Sequence, residues 1–260
     1  MKQITSKDNS LYKSIRRLAR SSRARREEGR VVLDGVHLVR AYLDCFGGEE
    51  VQLVIRKSAD THPEIRALIE RATSVMISGP LFDQLSLVES PIGILAVAPL
   101  PNVTISPNPK STFQILLDGI QDPGNVGAIL RTAAAAGART AHLSADCADP
   151  WSPRCLRGGM GAQFVLPLRQ HDSLATLAAG LGVKLIACTP EAPISVFEAD
   201  LGGHIAFIVG SEGAGVSEEL LALAQQQISI PMREGVQSLN AAAAAAICFY
   251  EWVRRGERMS

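Results

Sequence analysis

The most constraining feature of this 260-residue chain is the run Ile205-Ala-Phe-Ile-Val209, which has no polar side chain. A strand of that kind has no face to offer water. It belongs inside a parallel sheet covered by helices on both sides. Phe113–Leu117, Thr140–Leu143, Phe164–Leu166, Lys184–Cys188 and Ile228–Ile230 are further strand candidates, and helical patterns fall between most of them. A long helix is predicted from about Leu239 to Arg255. The C-terminal part therefore reads as α/β, with no internal repeat.

The part before it alternates in the same way. Strands are predicted at Val31–Leu33, Val51–Ile55, Val75–Ile77 and Ile92–Ala98, and helices at Val36–Cys45, Pro63–Ala72 and near Leu81–Leu87. Pro99, Pro101, Pro107 and Pro109, with Asn, Ser and Thr between them, read as an extended linker. The expected organisation is an N-terminal domain over residues 1–98, a linker over 99–112 and a C-terminal domain over 113–260.

Composition narrows the function. Apolar residues are 47% of the chain, so disorder is excluded. The formal net charge is zero, but residues 1–40 hold 11 Lys/Arg against 4 Asp/Glu. Residues 1–30 look like a basic helix with a loop: Lys13, Arg16, Arg17, Arg20 and Arg23 recur at helical spacing, with Leu11, Ile15 and Leu18 on another face. Such an arm points to a polyanion. The five cysteines form no CxxC pair and the five histidines no HExxH pattern, so neither a disulfide framework nor a metal site is expected. With no secretory signal and no membrane span in view, a cytoplasmic protein with reduced thiols is the expectation.

Four segments have the composition of functional loops. In Leu116-Leu-Asp-Gly-Ile-Gln-Asp-Pro-Gly-Asn125-Val-Gly-Ala-Ile-Leu-Arg131 a strand meets a Pro-Gly turn and a helix, with Asn125 placed as an N-cap. Arg131 stands alone in an otherwise apolar helix and must reach either a partner or solvent. Gly210-Ser-Glu212-Gly-Ala-Gly215 follows an apolar strand, where glycines let a ligand approach the backbone or simply make a tight turn. It is neither a P-loop nor GxGxxG, which disfavours a nucleoside triphosphate or a nicotinamide cofactor. In Ile230-Pro-Met232…Ser238-Leu239-Asn240 a strand stops at proline, and a helix then opens with Ser238 or Asn240 near its cap. The Ala241–Ala246 run is either a close-packing surface or a strong helix former in the core. Arg157-Gly-Gly-Met-Gly161-Ala-Gln-Phe164 sets a cation beside a flexible backbone, suited to a phosphate or to a surface turn.

Taken in order, Asp122-Pro-Gly-Asn125…Arg131, Gly210-Ser-Glu212-Gly-Ala-Gly215 and Ile230-Pro-Met232…Ser238-Leu239-Asn240 resemble the three motifs of the SpoU (TrmH) family of RNA ribose 2′-O-methyltransferases, a branch of the SPOUT superfamily. Residues 1–98 resemble, less specifically, the ribosomal-protein-like α/β substrate-binding domain of many members. The resemblance implies a C-terminal parallel sheet with a trefoil knot, S-adenosyl-L-methionine as methyl donor, a homodimer, and an RNA substrate, ribosomal rather than transfer RNA. A tRNA ribose methyltransferase and a non-catalytic RNA-binding or ribosome-assembly factor are the alternatives. By position it puts Asn125, Arg131, Glu212, Ser238 and Asn240 at catalytic positions, and Thr189, Gly210, Ile230, Met232 and Leu239 around the cofactor. Arg131 would hold ribose and phosphate, Asn125 would orient it or the ribose, and Glu212 would brace its loop. Arg16, Arg17, Arg20, Arg23, Arg25, Arg26 and Arg157 would meet RNA phosphates. Ser211 stands where asparagine is commonest, and Ala241-Ala242 where Val-Ser is usual.

Overall fold

The computed structural model describes residues 2–88, 91–104 and 113–256. They form two compact units, one of Met1–Asn102 with Asp149–Phe164, the other of Val103–Ala148 with Val165–Ser260.

The first unit opens with β1 (Lys2–Ile4), α1 (Ser10–Arg20) and α2 (Ser22–Glu28), and continues through β2 (Arg30–Asp34), α3 (Val36–Phe46), β3 (Gln52–Arg56), α4 (Pro63–Ile69), β4 (Thr73–Ile77), α5 (Gly79–Leu85) and β5 (Ile94–Pro99). Its sheet runs β1-β4-β3-β5-β2, with β5 antiparallel to both its neighbours. The N-terminal region is thus two helices behind a short strand. Asn9 caps α1 by accepting from the Leu11 and Tyr12 amides. Tyr12, Ile15 and Leu18 recur at helical spacing and are buried against Val32, Val54 and Val97. Each such side chain contributes about 1.5–3 kcal/mol by leaving water. The basic segment is therefore an integral wall of this unit.

The second unit begins with β6 (Phe113–Asp118), α6 (Pro123–Ala135) and β7 (Ala141–Ser144). The chain then enters α7 (Pro153–Gly159) and a 3₁₀ turn (Ala162–Phe164), which pack in the first unit. There Leu156 and Phe164 join Val31, Leu33 and Tyr42 in one core cluster. The second unit resumes with β8 (Leu168–His171), α8 (Leu174–Gly180), β9 (Lys184–Cys188), β10 (Ile194–Ser195), β11 (Ile205–Gly210), α9 (Glu218–Leu223), β12 (Gln226–Ser229) and α10 (Ala241–Arg254). Its sheet runs β10-β12-β9-β11-β6-β7-β8 and every pairing is parallel. The apolar run of β11 lies at its centre, with Ile205 to Ile208 fully buried. Phe113, Phe207 and Phe249 pack together on one side, with ring centroids 5.5–6.0 Å apart. Leu116, Ala206 and Ile208 meet α8 and α9 residues on the other.

Several expectations need correction. The strand expected at Phe164–Leu166 is instead the 3₁₀ turn followed by β8 at Leu168–His171. Left-handed backbone at Met160 and Gly161 turns the chain there, and Pro167 has no N–H for a ladder. Asn125 is not the cap of α6: Asp122 is, accepting from the Asn125 amide at 2.9 Å. Proline suits the first helical position, so the helix starts at Pro123 and carries Asn125 in its first turn. Residues 105–112 of the expected linker, with Pro107 and Pro109, lie outside the described residues.

Candidate active site

In a parallel sheet all carboxyl ends lie on one edge, and ligands gather beyond it. The carboxyl ends of β6, β9, β11 and β12 are Asp118, Cys188, Gly210 and Ser229. Two adjoining cavities open beyond them. One, of about 70 Å³, is lined by Cys188, Thr189, Ile228, Ile230, Met232, Leu239 and Cys248, among others. The other, of about 350 Å³, runs past Thr189, Val209 to Val216, Ser238 and Leu239. Thr189, Gly210, Ile230, Met232 and Leu239 all fall on these walls, as does Ser238.

The loop after β11 is folded back on itself. Ser211 and Gly215 exchange backbone hydrogen bonds at 3.1 and 2.9 Å, and Gly215 takes a φ of 71°. A Cβ on Gly210 would collide with the backbone of Gly215 and Val216, so only glycine fits there. The Ser217 amide donates to Asp118 Oδ2 at 2.8 Å, tying the loop's end to β6.

Asn125 Nδ2 donates to Glu212 Oε1 in a short contact, and Asn240 Nδ2 donates to Asn125 Oδ1 at 2.9 Å. Residues 87 and 115 positions apart in sequence thus share one hydrogen-bonded chain. Asn240 also caps α10, accepting from the Ala242 and Ala243 amides. Its two ends therefore do different jobs, and the cap holds the side chain in place. Arg131 is exposed on α6 and has no hydrogen bond or ion pair among the described residues; in particular it does not bond to Asn125.

The cavity walls include residues that sequence reasoning did not single out: Cys188, Pro190, Ile228, Ala244 and Cys248. Their usable signal was position, since Cys188 to Pro190 directly follow a central strand. Cys188 Sγ lies 3.7 Å from Cys248 Sγ. That hydrogen bond, and then burial, raise the Cys188 thiol well above its ordinary value. A protonated thiol is a poor nucleophile, so this pair serves as wall rather than as reactant. The walls combine apolar Ile228, Ile230, Met232, Leu239 and Ala244 with the hydroxyls of Thr189 and Ser238. That donor set suits a flat heteroaromatic group with polar edges.

The expected RNA contacts divide. Arg16, Arg17, Arg20, Arg23 and Arg26 are exposed. Lys13, Arg16, Arg17 and Arg20 line one shallow concavity on α1. Arg17 pairs with Glu28 and Arg23 with Glu27. Arg25 does not belong with them. It is 3% exposed and bonds to Asp149 Oδ2 at 2.5 and 2.8 Å and to the Leu18 carbonyl at 2.5 Å. Two residues past Arg23, it falls on the inner face of its helix, where Asp149 holds it. Arg157 is partly exposed on α7 and donates to the Leu87 carbonyl at 3.2 Å. Among the described residues, no three His, Cys, Asp or Glu side chains are grouped to hold a metal ion, and no helix is long and apolar enough to cross a membrane.

A sequence model described as the SpoU rRNA Methylase family matches residues 112–250. The chain is 34% identical over 253 residues to an uncharacterised tRNA/rRNA methyltransferase of Synechocystis, covering 95% of this chain and 92% of that one. It is 31% identical over 255 residues to the Bacillus subtilis 23S rRNA (guanosine(2553)-2′-O)-methyltransferase RlmP, covering 96% and 98%. The crystal structure of the SpoU methyltransferase AviRb from Streptomyces viridochromogenes, in complex with the cofactor AdoMet, superposes with a TM-score of 0.82 at 26% identity, covering 95% of this chain and 98% of that one.

Proposed function

The chain belongs to the SpoU rRNA Methylase family, and from that premise we propose that it is an S-adenosylmethionine-dependent RNA methyltransferase acting on a ribose 2′-hydroxyl of ribosomal RNA. The observation that carries this reading is the meeting of three distant segments, through Asn125, Glu212 and Asn240, beside cavities walled by Thr189, Gly210, Ile230, Met232 and Leu239. The apolar slot with its two hydroxyls fits the adenosine of the methyl donor, and the glycine-bearing loop after β11 fits the rest of it. When bound, that molecule supplies an electrophilic methyl group on a sulfonium.

The chain's own residues bind, align and steady. Arg131, with no other partner among the described residues, holds the target ribose and its adjacent phosphate through its planar fork of donors. A guanidinium offers only donors, so its task is grip rather than ordinary base catalysis. Asn125 fixes Glu212 and Asn240 and so keeps the loop after β11 and the start of α10 in register with α6. Ser238 offers its hydroxyl at the junction of the two cavities. Holding reactants in line in this way contributes about 7–11 kcal/mol in favourable cases.

The finer organisation is part of the same proposal. Residues 1–98, with the Asp149–Phe164 segment that packs among them, hold RNA, the rest of 113–260 carries out methyl transfer, and 99–112 link the two. The C-terminal parallel sheet carries a trefoil knot, and two copies work as a homodimer. The exposed arginines of α1 and α2 and Arg157 hold RNA phosphates. Supporting this are the all-parallel sheet order and the concavity of four cations on α1.

The deciding experiment is a map of ribose 2′-O-methylation across total RNA from cells with and without the gene. Loss of one methylation in 23S rRNA is expected. Loss in a tRNA alone would turn the reading to the tRNA alternative. No loss anywhere, with no S-adenosylmethionine binding by the purified protein, would leave a non-catalytic RNA-binding factor.

A further inference from the structure

Arg157 is held at one point. It lies in the last turn of α7, and its Nη1 donates to the Leu87 carbonyl at 3.2 Å. This is its one hydrogen bond among the described residues. A guanidinium carries five N–H donors in a rigid fork, so most remain uncommitted. The Leu87 peptide is itself pinned. Its N–H donates to Asp34 Oδ2 at 3.0 Å, and the Ser86 hydroxyl donates to the same oxygen at 3.1 Å. Asp34 is the last residue of β2, paired with Leu95 of β5, and is 8% exposed. These residues belong to one compact unit.

Asp34 is an unusual group to find there. Burial raises its carboxyl above the ordinary value, and the Leu87 N–H, the Ser86 hydroxyl and the nearby Arg157 charge offset this only in part. A group whose folded value is raised favours the fold at low pH and loses that contribution as pH rises through the raised value.

We propose that Asp34 is a positioning residue for RNA binding: it pins the Ser86–Leu87 segment, whose carbonyl aims the Arg157 guanidinium so that its remaining donors grip an RNA phosphate. The inference rests on the RNA methyltransferase reading above. It gives a role to a buried acid remote in sequence from the three motifs.

The test uses the full chain and an unmodified 23S rRNA transcript. Arg157→Gln should raise the KM for RNA about tenfold, the size expected for one charge-assisted hydrogen bond. It should also lower the magnitude of the log K against log salt slope by about 0.7–0.9, one phosphate. Asp34→Ala, which removes the acceptor of both hydrogen bonds, should move both quantities the same way, with the loss falling on RNA KM rather than on kcat or on the KM for S-adenosylmethionine. The double variant should be no worse than Arg157→Gln alone, because both act through the same phosphate. Should Asp34→Ala fail to fold in a thermal melt, Ser86→Ala decides, since it removes the hydroxyl that ties the residue before Leu87 to Asp34 and leaves β2 unchanged; a smaller rise in RNA KM is expected. An unchanged RNA KM in the folded variant, or additive losses in the double variant, would overturn the inference. Failure of the wild-type protein to methylate any RNA would instead overturn the parent reading.

Discussion

Asn125 uses both ends of its amide, one toward Glu212 and one toward Asn240. Arg131, six positions later on α6, shares no hydrogen bond with that chain and is the residue we propose for the RNA. Arg131→Ala should lower kcat for RNA methylation by at least about a hundredfold, as expected when a reactant is no longer held in place. Arg131→Lys should recover only part, because an ammonium lacks the planar fork. Calorimetry should show S-adenosylmethionine binding unchanged in both, and near-full rates in both variants would refute the role. Gly210 is the second residue on which the site turns. Gly210→Ala forces a Cβ into the Gly215 backbone. A loss of about 1–3 kcal/mol is expected, read as a lower Tm, together with weaker binding of S-adenosylmethionine. At this scale the motif residues were legible in the sequence, but their partners were not. Asn125 reads locally as a cap, and only the tertiary structure puts Asp122 in that place and lets Asn125 reach across.

Among the elements, α2 is the one whose burial pattern corrects its sequence reading. Six arginines in a short stretch look alike in composition, yet Arg25 points inward to Asp149, whose side chain is also largely buried. Removing one member of a buried pair leaves a charge without compensation. Arg25→Ala should therefore cost about 3–5 kcal/mol in chemical denaturation, while Arg25→Met with Asp149→Leu should regain most of it. A small effect for Arg25→Ala would mean that the pair is solvated. Strands β7 and β8 carry a different prediction. His142 Nδ1 lies 3.0 Å from His171 Nε2, and its other nitrogen lies 3.1 Å from Gln114 Oε1. Burial first, then the neighbouring His171 and Arg169, lowers His142 to about 4. A histidine lowered in the fold contributes stability that is present above its ordinary value of about 6.5 and lost as pH falls through the folded value. Urea midpoints should accordingly drop between pH 6.5 and 4, and His142→Gln should flatten that drop.

For the molecule as a whole, zero net charge conceals a basic N-terminal segment beside an acidic remainder. Because Tyr12, Ile15 and Leu18 of α1 are buried, deleting that segment would expose a core and say nothing about RNA. Charge substitution is the informative change. Replacing Arg16, Arg17, Arg20 and Arg26 with glutamine should weaken RNA binding and flatten its salt dependence by about 0.7–0.9 for each phosphate that is no longer neutralised. S-adenosylmethionine binding should stay as it was. An unchanged salt slope would remove these helices from the RNA interface.

The amino-acid order by itself determined the alternation of strands and helices, the inner position of β11 and the places of the glycine- and proline-bearing loops. These follow from periodicity, from runs of apolar residues and from the special backbones of glycine and proline, all properties of neighbouring residues. Tertiary structure alone decided that Asn125, Glu212 and Asn240 share one hydrogen-bonded chain, that Arg25 is a core ion and not a surface one, and that Asp149–Phe164 packs with the N-terminal unit. Each depends on which faces of distant elements meet. That is set by the burial of whole faces and the pairing of buried polar groups, and neither is visible in a local window of sequence.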